Sequence, residues 1–94
     1  MRVYVETDLD GVTGICLWEQ VRDRQSPLYQ VARRLLMEDI AALVDGLMAG
    51  GATEVAVDDC HGGGGNFMPE LMDPRATYLA GRGRPSWTDR EEQY

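Results

Sequence analysis

A short apolar strand, one long amphipathic helix and a second apolar strand follow one another within the first 58 residues, and that order leaves few folds open. Val3 to Thr7 is β-branched and aromatic, which predicts a first strand buried inside a sheet. Ser26-Pro27 then opens a helix, with serine suited to the N-cap and proline to the first helical position. Leu28, Val31, Ala32, Leu35, Leu36, Ile40, Leu43, Val44 and Leu47 recur at helical spacing and form the stripe expected to pack on a sheet. Arg33, Arg34, Glu38, Asp39 and Asp45 are assigned to the water-facing side, with Arg34 and Glu38 placed to pair. Gly50-Gly51 ends the helix, and Gly46 inside it marks either close packing or tolerance.

Ala52 to Asp58 (ATEVAVD) reads as the second strand. Strand, helix and strand make a βαβ unit whose right-handed crossover requires parallel strands. Ala76 to Ala80 predicts a third strand, followed by a Gly/Arg/Pro loop, and Asn66 to Met72 one helical turn packing through Phe67, Met68, Leu71 and Met72. Ile15 to Gln25 is expected to be a loop whose Trp18 and Val21 cover apolar surface, while Trp87 and Tyr78 line a pocket or simply pack. The fold class is α/β with a mostly parallel sheet, and residues 1–94 form a single domain. Two or three strands with one long helix cover one face at most, so a three-layer α/β domain is expected only with elements beyond these.

The crossover has a chemical consequence. In open α/β sheets ligands bind beyond the carboxyl ends of the strands, and both strands here end in acidic clusters. The first runs into Asp8 and Asp10 within VETDLDGVTG; the second runs into Asp59 and the sole histidine, His61, within VAVDDCHGGGGN. Asp8, Asp10 and His61 are therefore candidate ligands of a divalent metal, and mixed carboxylate and imidazole donors favour zinc or manganese over calcium. The alternative is a pair of turn aspartates and a hydrogen-bonded histidine. Asp59 is a further ligand or orients the histidine, and Glu6, which shares the parity of Asp8, is a buried acid, an outer partner or the mark of an edge strand. Adjacent Cys60 and His61 point to opposite sides in extended chain, which argues against a nucleophilic dyad. Gly62 to Gly65 lacks the lysine and serine of a phosphate loop and reads as a close-approach or mobile segment.

Charge narrows the function classes. Sixteen acids against nine arginines give a net charge of −7, which disfavours nucleic acid and anionic membrane as partners. The absence of lysine removes Schiff-base chemistry. No run approaches the roughly 20 apolar residues of a membrane span, and the N-terminus lacks a signal peptide's apolar core, so a cytoplasmic location with Cys16 and Cys60 as free thiols is expected.

Three motifs in order, VETDLDGVTG, the capped helix leading to GGATEVAVDDCHGGGGN, and YLAGRGRP, resemble the N-terminal part of the D-aminopeptidase family of zinc metallopeptidases. That family's first motif reads aspartate, any residue, glutamate, glycine, and its second ends in aspartate, any residue, histidine. The resemblance implies that Asp8 and His61 are zinc ligands and that Asp10 takes the glutamate's position, one methylene shorter, which bears on reach, coordination mode and choice of ion. It also implies a two-zinc centre that activates water against the peptide bond after an N-terminal D-amino acid, a small peptide substrate, and a ring-shaped homo-oligomer. The family's remaining ligands, a second histidine and a glutamate, and a further catalytic histidine lie downstream of these residues. The expectation is an N-terminal portion carrying part of the site and inactive alone. DLDG is also similar to the haloacid-dehalogenase phosphatase motif, with Asp8 as nucleophile, Asp10 as general acid/base and magnesium. There Val12 replaces the motif's threonine, and the second strand lacks a phosphate-binding serine or threonine. A non-catalytic assembly or binding module is the third reading.

Overall fold

The computed structural model describes residues 1–81, 83, 84 and 87–94, the side chains of Trp87 and Thr88 excepted. Three parallel strands, β1 (Arg2–Thr7), β2 (Glu54–Asp59) and β3 (Thr77–Leu79), lie in the order β1-β2-β3. The expected βαβ unit is present. Register runs from Arg2 opposite Glu54 to Thr7 opposite Asp59, so the two acidic segments leave the sheet side by side. Val55 to Asp59 are all buried because β2 is central and covered on both faces.

β1, expected inside the sheet, has β2 as its one partner among the described residues, and Glu6 on it is exposed. Its apolar sequence reflects the helix that packs on one of its faces rather than a neighbour on each side.

Helix α1 spans Trp18–Arg22, in a segment expected to be loop. Buried Gln20 explains it: its side-chain oxygen accepts from the N–H groups of Cys16 (2.7 Å) and Leu17 (2.8 Å), and its amide donates to the carbonyl of Gly14 (3.2 Å). Val21 enters the core as expected, but Trp18 is 69% exposed and stacks against the Arg22 guanidinium instead.

Helix α2 runs Pro27–Ala49, with the Ser26 hydroxyl accepting from the Leu28 N–H at 3.1 Å. Gly51, at φ +100°, turns the chain out of the helix in a conformation that costs an L side chain about 1–2 kcal/mol. Gly46 has open space around its Cα, so tolerance and not close packing accounts for it. Tyr29, Ala32, Leu36, Met37, Ile40 and Val44 bury themselves against Leu9, Val55, Val57 and Phe67. Each large side chain contributes about 1.5–3 kcal/mol by this burial.

The apolar stripe is only partly internal. Leu28, Val31 and Leu43 are exposed, because a three-stranded sheet is too narrow to cover the whole apolar arc of a 23-residue helix. Arg34 and Glu38 do not pair with each other or with any other described residue, while Arg33 and Asp39, assigned to water, hold backbone of neighbouring loops.

Phe67, Met68 and Leu71 pack where expected, around a short 3₁₀ turn at Pro69–Leu71. Tyr78 packs edge-on against Phe67, and its hydroxyl accepts from the Asp73 N–H at 2.9 Å. Helix α3 (Trp87–Glu92) covers the opposite face of the sheet, where fully buried Asp58 receives Arg84 (2.8 Å), Arg90 and the Tyr4 hydroxyl. The Trp87 ring and part of the Gly/Arg/Pro segment lie outside the described residues. Among the described residues, no helix is long and apolar enough to cross a membrane.

Candidate metal centre

β1 ends at Thr7, so Asp8 and Asp10 stand on the turn that follows and not on the strand itself. Their convergence has a different cause from strand parity. Leu9 between them is fully buried and pins the turn to the core, sending its two acidic neighbours outward. The Leu9 N–H donates to Asp8 Oδ1 at 2.7 Å, and the Val12 N–H closes the turn on the Leu9 carbonyl at 3.2 Å. The Thr13 N–H to Asp39 bond, 2.9 Å, ties this loop to α2.

The histidine arrives from β2. The Cys60 N–H donates to the Thr7 carbonyl at 3.0 Å, which carries the ladder one step beyond the last paired residues and sets His61 beside Asp8. Fully buried Asn66 holds the loop that follows. Its side-chain amide donates to the His61 carbonyl (2.8 Å) and to Asp59 Oδ1 (2.7 Å), its backbone N–H donates to Asp59 Oδ2 (2.7 Å), and its side-chain oxygen accepts from the Tyr29 hydroxyl (2.7 Å). Asp59 thus neither joins the three candidate ligands nor touches the imidazole; it fixes Asn66, and Asn66 fixes the main chain of His61.

The result is one constellation. Donor atoms of Asp8, Asp10 and His61 lie within 4.8 Å of one another, with Nδ1 of His61 2.6 Å from Asp8 and 3.7 Å from Asp10. The ring is sheltered (15% exposed) while the two carboxylates are open to solvent (56% and 67%). Nε2 lies 2.8 Å from the Val21 carbonyl, which can only accept, so Nε2 carries hydrogen. Nδ1 shares a hydrogen with Asp8 Oδ1 at 2.6 Å, and that hydrogen's place is the one a metal ion would take. With the metal there the ring would be the Nε2–H tautomer that ligates through Nδ1, with a backbone carbonyl as its outer partner.

The donor set fits zinc. Two ligands of a tetrahedral ion with bonds of about 2.0–2.1 Å sit roughly 3.3 Å apart, between the two Nδ1–carboxylate distances found here. Three protein ligands are also the number a catalytic zinc takes. Burial alone pushes the Asp8 carboxyl up, but hydrogen bonds from His61 and the Leu9 N–H outweigh it and leave Asp8 below the usual carboxylate range.

The other candidates separate from the site. Glu6 is exposed, and its carboxyl is pushed up chiefly by a hydrogen bond with Glu91 of α3. Both ring nitrogens of His61 are engaged elsewhere, and partial burial together with Asp58 pushes the Cys60 thiol up, so no activated thiolate arises there. Cys16 and Cys60 are both free and exposed. Sequence reasoning missed Asn66, Gln20 and the Val21 carbonyl, none of which belongs to a spacing motif; an amide closing a glycine run was the one visible sign.

Residues 1–88 match the family model described as D-aminopeptidase. A D-aminopeptidase of Bacillus subtilis (strain 168) is 27% identical over 85 residues, a stretch covering 90% of this chain and 31% of that protein. The solved structure of the Zn-dependent D-aminopeptidase DppA from Bacillus subtilis, a self-compartmentalizing protease, superposes with a TM-score of 0.82 at 27% identity, over 90% of this chain and 31% of that one. This chain therefore spans about a third of the length of these relatives.

Proposed function

Because the chain belongs to the D-aminopeptidase family, matched over residues 1–88, we propose that it is the N-terminal portion of a zinc-dependent aminopeptidase acting on peptides with an N-terminal D-amino acid. In this reading Asp8, Asp10 and His61 supply part of a two-zinc site, and the complete protein assembles into a ring-shaped homo-oligomer. The observation that carries it is the meeting of Asp8, Asp10 and His61 within 4.8 Å at the carboxyl ends of two parallel strands. The solved relative's zinc dependence supports the ion, and its self-compartmentalizing character supports the assembly. With the D-aminopeptidase family established, the phosphatase reading of DLDG is not carried further.

A zinc ion held here supplies Lewis acidity toward a peptide carbonyl and lowers the pKa of water. The chain's own residues prepare for that. The Val21 carbonyl keeps hydrogen on Nε2 and so presents Nδ1; Asp8, kept ionised by its hydrogen bonds, and Asp10 provide the negative charge that a dication and a substrate ammonium group both favour.

The test is calorimetric titration of the chain at neutral pH with zinc, with magnesium as control, alongside Asp8→Ala and His61→Ala. Zinc binding that both substitutions abolish is expected. Magnesium binding indifferent to His61, or no binding of either ion, overturns the reading.

A further inference from the structure

We propose that Arg24 forms the subsite for the substrate's free carboxylate, which directs the enzyme to short zwitterionic peptides; this rests on the aminopeptidase reading. Arg2, Arg75, Arg84 and Arg90 are each satisfied by carboxylates. Arg24 is not. Its Nη1 donates to the Tyr29 hydroxyl at 3.1 Å, its guanidinium lies 5.3 Å from the centre of the Tyr29 ring, and no carboxylate among the described residues pairs with it. Arg22 (stacked on Trp18), Arg33 (bound to the Asn66 and Phe67 carbonyls) and Arg34 also lack a carboxylate partner among the described residues; Arg24 differs in lying exposed against the loop that starts at His61.

Its placement is built. A Cβ on Gly62 would come within 3.2 Å of Arg24 Nη2, and one on Gly65 within 3.5 Å of Nη1, so the guanidinium lies against the bare backbone of the loop that starts at His61. Gly62 at φ +56° and Gly65 at φ +80° keep that approach free of side chains. Tyr29, which receives the Arg24 bond, donates in turn to Asn66, the residue that holds the His61 carbonyl. The same hydrogen-bonded chain therefore fixes both the imidazole-bearing loop and the guanidinium. A held guanidinium whose Nε and Nη2 donate to no group among the described residues offers the planar fork that suits a carboxylate. Asp8 and Asp10 gather at His61, where that loop begins, and supply the opposite charge for the ammonium end of a zwitterionic peptide.

The experiment measures binding, not turnover. The affinities of D-alanyl-glycine and D-alanyl-glycinamide, which differ only in the terminal carboxylate, are compared on the zinc-titrated chain and on Arg24→Gln and Arg24→Lys. Wild type should prefer the free acid by about 10- to 100-fold, the range for a hydrogen-bonded charge. Arg24→Gln should erase the preference while leaving the amide's affinity and zinc binding unchanged, and Arg24→Lys should restore part of it. Equal or undetectable binding of the two peptides by wild type, or a preference that survives in Arg24→Gln, overturns the proposal. Zinc titration of the same samples separates the two readings: an Arg24-dependent preference without zinc binding keeps this subsite and removes the metal site, and the reverse keeps the metal site alone.

Discussion

His61 Nδ1 lies 2.6 Å from Asp8 Oδ1 although 53 residues separate the two in sequence. The contact is made by the parallel pairing of β1 and β2, which ends one residue short of Asp8 and two short of His61. Its energetics are those of a carboxylate held below its usual pKa, with a definite sign. The stability that Asp8 contributes is present above its unfolded value of about 3.9 and is lost as the pH falls through the lower folded value. His61→Ala removes a hydrogen bond to Asp8, so the Asp8 carboxyl should titrate at higher pH than in wild type, as read from its carboxyl-carbon NMR shift. An unchanged Asp8 titration contradicts the contact.

Asn66 should matter to both stability and metal affinity. Asn66→Ala strips one of two donors from buried Asp59 and one from the His61 carbonyl. One of the Asp59 donors is the backbone N–H of residue 66, which persists in the variant. The remaining loss should cost about 2–4 kcal/mol in urea unfolding and 10- to 100-fold in zinc affinity, the scale for residues that orient a ligating histidine.

Two glycines of α2 and its exit should respond in opposite directions. Gly46→Ala fills open space in a helix interior and should stabilise by about 0.5–1 kcal/mol. Gly51→Ala also meets open space, but it forces φ +100° on an L residue and should destabilise by about 1–2 kcal/mol. Thermal melts of the two variants check both signs at once.

Tyr4 should titrate late. Burial and the hydrogen bond to Asp58 raise its hydroxyl from 10.0 to about 12. Since the folded value exceeds the unfolded one, the associated stability is full below pH 10 and is lost as the pH rises through 12. Alkaline absorbance titration should show a phenol phase near pH 12, and Tyr4→Phe should delete it.

Much of the frame could be read from spacing. The capped helix, the strands on either side and their parallel pairing follow from periodicity and chain order, and parallel pairing alone carries the segments bearing Asp8, Asp10 and His61 to the same end of the sheet. What escaped has no local code. Arg33 reaches the Phe67 carbonyl across 34 residues, and Asp39 reaches Thr13 across 26; both looked like ordinary helix-surface charges. The exposure of Leu28, Val31 and Leu43 depends on the width of the sheet beneath α2, which no property of the helix sequence records. Helix α1 escaped because it rests on the Gln20 bonds to the turn before it and not on an apolar period.

The ladder between β1 and β2 finishes at Thr7 and Asp59, with one further bond from Cys60 to Thr7 before the chains part. A cation bound just past that point works as a buckle. It joins two positions more than fifty residues apart, so any free energy of binding is shared by the entire strand–helix–strand unit and resists fraying from its open end. A slip of one residue in strand pairing would carry the histidine about 3.3 Å along the sheet and unfasten it. Under the proposed zinc reading, metal affinity would therefore also be a gauge of alignment, sensitive to changes far from any ligand.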